Sequence, residues 1–231
     1  MCGRYTLRKS DRIRTAFQVG VAEQFEEFSK LKIVPRFNIA PSQDAPVIRI
    51  NAAGERSLQL VRWGLIPSWV KGKPGQQPIN ARAETIATSG MFRQAFERRR
   101  CLVPADGFYE WQKLDAKTKQ PMFVRRRDDE PFAFAGLWER WGPDADAEPV
   151  DTFAIITTTP NALMSPIHNR MPVVLAERDH ARWLDRENPG PAVADVLKPY
   201  ADEDFTATSV STRVNSPKND DCDCIAPLAD S

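Results

Sequence analysis

Residues 101–111 have the sequence Cys101-Leu102-Val103-Pro104-Ala105-Asp106-Gly107-Phe108-Tyr109-Glu110-Trp111, which predicts two β-strands, 101–104 and 107–111, joined by a short connection. Apolar runs at 122–126 and 132–137 predict the next two strands. Strands and helices do not alternate regularly along the chain, which argues against a doubly wound parallel sheet. We therefore predict an α+β fold whose mixed, mostly antiparallel sheet curls into a barrel-like core with peripheral helices.

The rest of the chain supplies elements around this core. Residues 47–50 and 57–61 flank the turn-forming Asn51-Ala52-Ala53-Gly54 and predict a β-hairpin. Amphipathic segments predict helices at 10–17, 21–31, 91–99 and 177–184. No repeat or break in composition divides residues 1–219, which we expect to form one domain. Residues 220–231 contain four Asp and no Lys or Arg, and predict a flexible acidic tail.

Composition places the chain among ordinary globular proteins. Its 231 residues are 42% hydrophobic and 27% charged, and the formal net charge is only +1. The four cysteines, at positions 2, 101, 222 and 224, do not suggest a disulfide framework in a chain of this length, and Cys101 lies in an apolar run typical of a buried thiol. We find no secretory signal and no apolar run long enough to span a bilayer. The expected location is cytoplasmic, or nucleoid-associated in a bacterium, with no membrane partner.

The start of the chain, Met1-Cys2-Gly3-Arg4-Tyr5, carries an unusual pair of nucleophiles. Methionine aminopeptidases remove the initiator when the second residue is small, and Cys2 would then carry an α-amine beside its thiol. Such an amine titrates near ~8 and a thiol near ~8.5, so both are expected to be partly reactive at neutral pH. An aldehyde can form an imine with the amine, and the thiol can close a thiazolidine ring. The alternative is an ordinary frayed terminus.

Four polar residues are further candidates for chemistry. Glu110 shares a strand face with Phe108 if that strand alternates, so its carboxylate is expected to be buried and able to carry protons; an outward-facing acid on an edge strand is the alternative. His168 lies in a proline-flanked loop, where it can act as a general acid or base, or cap the loop with a hydrogen bond. Asn80 and Arg82 project from one face of an extended segment. The amide can orient a carbonyl or hemiacetal oxygen, and the guanidinium suits a phosphate.

Other site types find little support. His180 lies on a charged helical segment and is predicted to be at the surface. The sequence contains no P-loop, no dinucleotide-binding glycine fingerprint, no histidine-rich metal motif and no Gly-x-Ser-x-Gly elbow. We therefore predict neither a cofactor nor a catalytic metal.

Taken together, six ordered blocks resemble the SOS-response-associated peptidase (SRAP) family, the abasic-site processing proteins. The resemblance runs from Cys2 to about Asn219. The blocks are Met1-Cys2-Gly3-Arg4-Tyr5, Phe37-Asn38-Ile39-Ala40-Pro41, Arg62-Trp63-Gly64-Leu65-Ile66-Pro67-Ser68-Trp69, Ile79-Asn80-Ala81-Arg82-Ala83-Glu84-Thr85, Ala105-Asp106-Gly107-Phe108-Tyr109-Glu110-Trp111 and Ile167-His168-Asn169-Arg170-Met171-Pro172.

This resemblance implies a protein that cross-links itself to abasic sites in single-stranded DNA or at single-strand/double-strand junctions. Cys2 would form a thiazolidine with the ring-opened sugar, and an AP-lyase reaction by β-elimination would compete. Asn80 would position the sugar and the adduct, Glu110 would assist proton transfers of the Schiff base, and His168 would help to open the ring and act near strand cleavage.

The resemblance also implies a set of DNA contacts and a monomeric protein. The DNA-binding residues would be Arg4, Pro41, Trp69, Arg82, Met91, Phe92, Arg170, Arg213 and Lys218. Two other functions stay open at this point. One is a thiol peptidase that uses Cys2, with removal of Met1 as a restricted form of that activity, and the other is a single-strand DNA-binding module that forms no covalent product.

Overall fold

The computed structural model describes residues 2–20, 33–144 and 148–228. The strands in this part of the chain are β1 (Arg4–Leu7), β2 (Arg36–Ile39), β3 (Asp44–Ile50), β4 (Arg56–Trp63), β5 (Asn80–Arg82), β6 (Arg100–Ala105), β7 (Gly107–Lys113), β8 (Lys119–Arg126), β9 (Phe132–Trp141), β10 (Val150–Thr158), β11 (Met171–Pro172), β12 (Val174–Leu175) and β13 (Phe205–Ser209). The α-helices are α1 (Ile13–Ala16), α2 (Arg93–Arg98) and α3 (His180–Leu184). Short 3-10 helices lie at Ser10–Arg12, Glu177–Asp179, Gly190–Val196, Asp202–Asp204, Thr212–Asn215 and Cys222–Cys224.

Five strands close into a barrel. The ring runs β10-β4-β3-β6-β9 and returns to β10; the β10–β4 pairing is parallel and the other four are antiparallel. The short β5 adds to β10 in parallel, while β11 and β12 extend the same sheet. The predicted α+β fold with a barrel-like core and peripheral helices is therefore confirmed.

The neighbouring strands β6 and β9 approach each other closely in the wall of the barrel. All six residues of β6 are buried, including the predicted buried thiol of Cys101. A Cβ at Gly136 would lie 2.8 Å from both Cys101 Sγ and Val103 Cγ2, a separation that real side chains do not reach. Glycine at this position is what lets the two strands pack at this distance.

A second, antiparallel sheet packs against the barrel in the order β13-β8-β7-β1-β2. Both faces of its central strand β7 are buried. Phe108 packs edge-on against Phe134 in the main core, 5.9 Å between ring centroids, and Tyr109 packs on Phe123 on the other side at 5.2 Å. Glu110 lies on this strand and is buried, so the alternative of an outward-facing acid on an edge strand is wrong.

The C-terminal segment, residues 212–228, packs on the edge of this second sheet. The Asp220 carboxylate accepts hydrogen bonds from the backbone N–H groups of Phe37 and Asn38 at 2.6 and 2.8 Å. An edge strand leaves such donors without a ladder partner, and a carboxylate satisfies them. Cys224 is buried, and Pro227 forms a β-bridge with Val210. Residues 220–228 therefore pack against the domain, whereas the sequence predicted a flexible acidic tail. Residues 229–231 lie outside the described residues.

The helices are peripheral, and α3 carries a histidine that the sequence predicted to be at the surface. His180 is 3% exposed and faces inward with Trp183 and Leu184, the residues three and four positions on, so its predicted surface location is wrong. Its ring lies 5.7 Å from that of Phe17, and burial lowers the pKa of His180. The helix predicted over 21–31 lies outside the described residues. No helix in the described part of the chain is long and apolar enough to cross a membrane.

Candidate active site

Pairing between β1 and β7 brings Cys2 to the part of β7 that carries Glu110. The two strands run antiparallel, with Arg4 opposite Tyr109. Continuing this register by one residue places Gly3 opposite Glu110. Cys2 is fully buried, and its Sγ lies 3.9 Å from the carbonyl oxygen of Arg4. The thiol is thus fixed inside the domain and not on a frayed terminus.

Asn80 holds the backbone of Cys2. It begins β5, where it lies opposite Ile155 of β10, and its Nδ2 donates a hydrogen bond of 2.9 Å to the carbonyl oxygen of Cys2. Among the described residues its Oδ1 is buried and has no hydrogen-bond partner, so it can accept a hydroxyl group. Asn80 and the four residues before it line a cavity of about 350 Å³.

The electrostatic environment keeps the Cys2 thiol protonated. Burial raises the pKa of this thiol, and the negative charge of Glu110 raises the pKa further. Both effects oppose the reactivity at neutral pH that the sequence predicted for this thiol. Glu110 is the carboxylate whose charge acts on this thiol.

The loop that carries His168 is tied to β7. Gln112, two residues beyond Glu110 on that strand, donates from Nε2 to the carbonyl of Pro166 at 3.2 Å. The backbone N–H of Arg170 donates to His168 Nδ1 at 3.0 Å, and the carbonyl oxygen of Arg170 lies 3.3 Å from the same nitrogen. These contacts engage Nδ1 with the backbone of the same loop.

Arg170 makes a bidentate ion pair with Glu84. Its Nη1 and Nη2 lie 2.7 and 2.9 Å from the two carboxylate oxygens, and Nη2 also donates to the Thr157 carbonyl at 2.6 Å. Glu84 follows Asn80 by four residues but was not among the predicted site residues. Nothing in the sequence links it to a guanidinium 86 positions away.

Two further predicted DNA-binding arginines also have partners within the chain. Arg4 donates to Asn38 Oδ1 at 3.0 Å and to the carbonyls of Val214 and Asn215 at 2.7 and 3.1 Å. Arg213 pairs with Asp221 at 2.5 Å. The guanidinium of Arg4 thus anchors β1 to the C-terminal segment. DNA contacts by these arginines remain predictions.

The other predicted DNA contacts differ in exposure. Trp69 is 55% exposed, and Arg82 and Lys218 are exposed as well. Met91 and Phe92 are partly buried against the main core. Pro41 is also partly exposed. In the described residues, no group of three or more His, Cys, Asp or Glu side chains is placed to hold a metal ion.

Comparison with known proteins gives one consistent result. A model of the SOS response associated peptidase (SRAP) family matches residues 1–217. The chain is 44% identical over 228 residues to abasic site processing protein YoaM of Bacillus subtilis, covering 97% of both chains. It is 30% identical over 233 residues to abasic site processing protein YedK of Escherichia coli, covering 99% of this chain and 100% of that protein. A solved structure of a protein from Bacteroides thetaiotaomicron matches with a TM-score of 0.84 at 26% identity, over 99% of this chain and 100% of that chain.

Proposed function

Because the chain belongs to the SRAP family, we propose that it detects abasic sites in single-stranded DNA and traps them covalently through Cys2. The observation that carries this proposal is the hydrogen bond from Asn80 to the Cys2 carbonyl beside a buried Glu110. This arrangement fixes the residue whose amine and thiol must meet one aldehyde carbon. The proposal requires that Met1 be removed.

Ring opening comes first, because an abasic sugar exists mostly as a closed hemiacetal. The Oδ1 of Asn80 accepts a sugar hydroxyl, which orients C1′ towards Cys2. Glu110 takes the proton of the C1′ hydroxyl as the C1′–O4′ bond breaks. Protonated His168 gives a proton to O4′, which leaves as the 4′-hydroxyl. The products are an aldehyde, a neutral imidazole and a carboxylic acid.

The amine then attacks before the thiol. Addition of the Cys2 amine to C1′ gives a carbinolamine. Glu110 gives its proton to the carbinolamine hydroxyl, which leaves as water, and takes the proton that the nitrogen loses, so a neutral imine forms. The thiol next adds to the imine carbon while its proton passes through Glu110 to the nitrogen, and the thiazolidine closes with no further leaving group. If the imine instead loses a proton from C2′, the 3′ phosphate is eliminated and the strand breaks.

The environment of the thiol favours this order over peptidase chemistry. A thiol peptidase depends on a cysteine whose pKa is lowered towards neutrality. Burial and Glu110 raise the pKa of Cys2, which opposes a standing thiolate. A protonated thiol leaves the amine to react first, and it closes the ring once the imine is present.

Contacts with the DNA come from residues that are at least partly exposed. Trp69 offers a stacking surface for a base, and Arg82 lies on the same face of β5 as Asn80, where it suits a phosphate. Met91 and Phe92 provide an apolar surface for the unpaired end of a duplex at a junction. The protein acts as a monomer on such substrates.

A denaturing gel tests the proposal. Protein incubated with single-stranded DNA containing one abasic site should give a product that survives denaturant, and Cys2→Ala should give none. Cys222→Ala removes an exposed thiol far along the chain and serves as the matched control, with cross-linking at the wild-type rate. Equal cross-linking by Cys2→Ala and wild type would refute the role of Cys2.

A further inference from the structure

The ion pair between Glu84 and Arg170 joins the two segments that carry Asn80 and His168. In β10, Thr157 lies opposite Arg82 of β5 on one side and opposite Pro172 of β11 on the other. Glu84 lies two residues beyond Arg82, and Arg170 lies two residues before Pro172. The carboxylate and the guanidinium therefore meet across the end of β10.

Arg170 connects this ion pair to His168 directly. The side chain that binds Glu84 belongs to the residue whose backbone N–H donates to His168 Nδ1. The guanidinium also bonds the Thr157 carbonyl, which accepts the N–H of Ala83 at 2.9 Å as well. The side chain of Arg170 is only 13% exposed, so its direction is fixed by these contacts.

We propose that Glu84 is a positioning residue that acts through Arg170 to fix the position of His168 relative to Asn80, whose amide binds the sugar in the proposed function. A bidentate pair fixes the plane and direction of a guanidinium better than a single hydrogen bond does. Glu84 thereby sets how well His168 Nε2 reaches the sugar ring oxygen. This inference rests on the proposed function, because it concerns the ring-opening step.

The competing possibility is that a DNA phosphate replaces Glu84 on Arg170. Glu84 is 45% exposed, so an incoming anion can reach the pair. In that case the carboxylate would compete with DNA, and removing its charge would tighten binding. The positioning role predicts unchanged binding and a slower reaction, so the two possibilities have opposite signatures.

Glu84→Gln tests the inference on two substrates. The first is single-stranded DNA with an ordinary abasic sugar, and the second carries an acyclic aldehyde that cannot close to a hemiacetal. We expect single-turnover cross-linking of the first to slow about tenfold, the order expected for loss of a charge-assisted hydrogen bond. The second needs no ring opening and should react within twofold of wild type. Glu84→Asp, which keeps the charge, should recover part of the rate.

Asp195→Asn is the matched control, because Asp195 makes a bidentate pair of similar distances, 2.8 and 2.7 Å, with Arg182 on the surface. It should leave both rates unchanged. Equal slowing of Glu84→Gln on both substrates, tighter DNA binding without slowing, or no change would each overturn the inference. If wild type forms no adduct with either substrate, the proposed function fails, and the inference fails with it.

Discussion

Replacing Asn80 by alanine should slow cross-linking by about 30-fold. The substitution removes the 2.9 Å hydrogen bond to the Cys2 carbonyl and also the buried Oδ1 that accepts a sugar hydroxyl. Each such hydrogen bond contributes about 1 kcal/mol, and about 2 kcal/mol in the transition state corresponds to about 30-fold in rate. Asn80→Asp keeps an acceptor but places a negative oxygen against the carbonyl, so it should be at least as slow.

Single-turnover cross-linking with excess protein, followed on a denaturing gel, measures this rate. Asn188→Ala is the control, because its amide donates a hydrogen bond of the same length, 2.9 Å, to Asp185 in a loop that carries none of the proposed catalytic residues. The control should react like wild type. If Asn80→Ala reacts within twofold of wild type and melts at the same temperature, the positioning of Cys2 by Asn80 does not matter and the reasoning is refuted.

Substitutions at three other positions give further predictions. Glu110→Gln removes a charge that raises the pKa of Cys2, so iodoacetamide at pH 8 should label Cys2 faster than in wild type while cross-linking slows; slower labelling would contradict the electrostatics. Asn38→Ala leaves three carbonyls in the C-terminal segment and the Arg4 guanidinium without their shared partner, and should lower the free energy of unfolding by about 3 kcal/mol in urea titrations, whereas a loss below about 1 kcal/mol would show that this segment is not held by Asn38. Trp69→Ala should weaken binding of single-stranded DNA by about 1–3 kcal/mol in fluorescence anisotropy without changing its salt dependence, and unchanged affinity would rule out stacking there.

Local patterns predict much of the fold. The strands β6 to β9 follow apolar runs bounded by polar turns, and the β3–β4 hairpin follows a turn-forming segment that ends at Gly54, whose φ is +83°. The inward face of Glu110 follows from strand alternation with Phe108. The order of the strands around the barrel could not be predicted in this way, because the β10–β4 and β10–β9 pairings depend on contacts between distant segments.

Long-range polar contacts account for what the sequence did not predict. The charges around His180 suggested a surface residue, although Trp183 and Leu184 at helical spacing give a signal that it faces the core. Asp220 looked like part of a solvated acidic run, but its carboxylate satisfies backbone donors 183 and 182 positions away. The pairing of Glu84 with Arg170 belongs to the same class. Such pairs depend on which strand ends meet, and residue type alone does not reveal this.

We expect the α-amine of Cys2 to matter as much as its sulfur. The most direct measurement is the intact mass of the protein after incubation with abasic single-stranded DNA, compared with a variant that carries one uncleavable residue ahead of Cys2. We expect a wild-type adduct whose mass equals that of the protein without Met1 plus that of the DNA strand less one water, and no adduct from the blocked variant. An adduct of comparable yield from the blocked variant would contradict it.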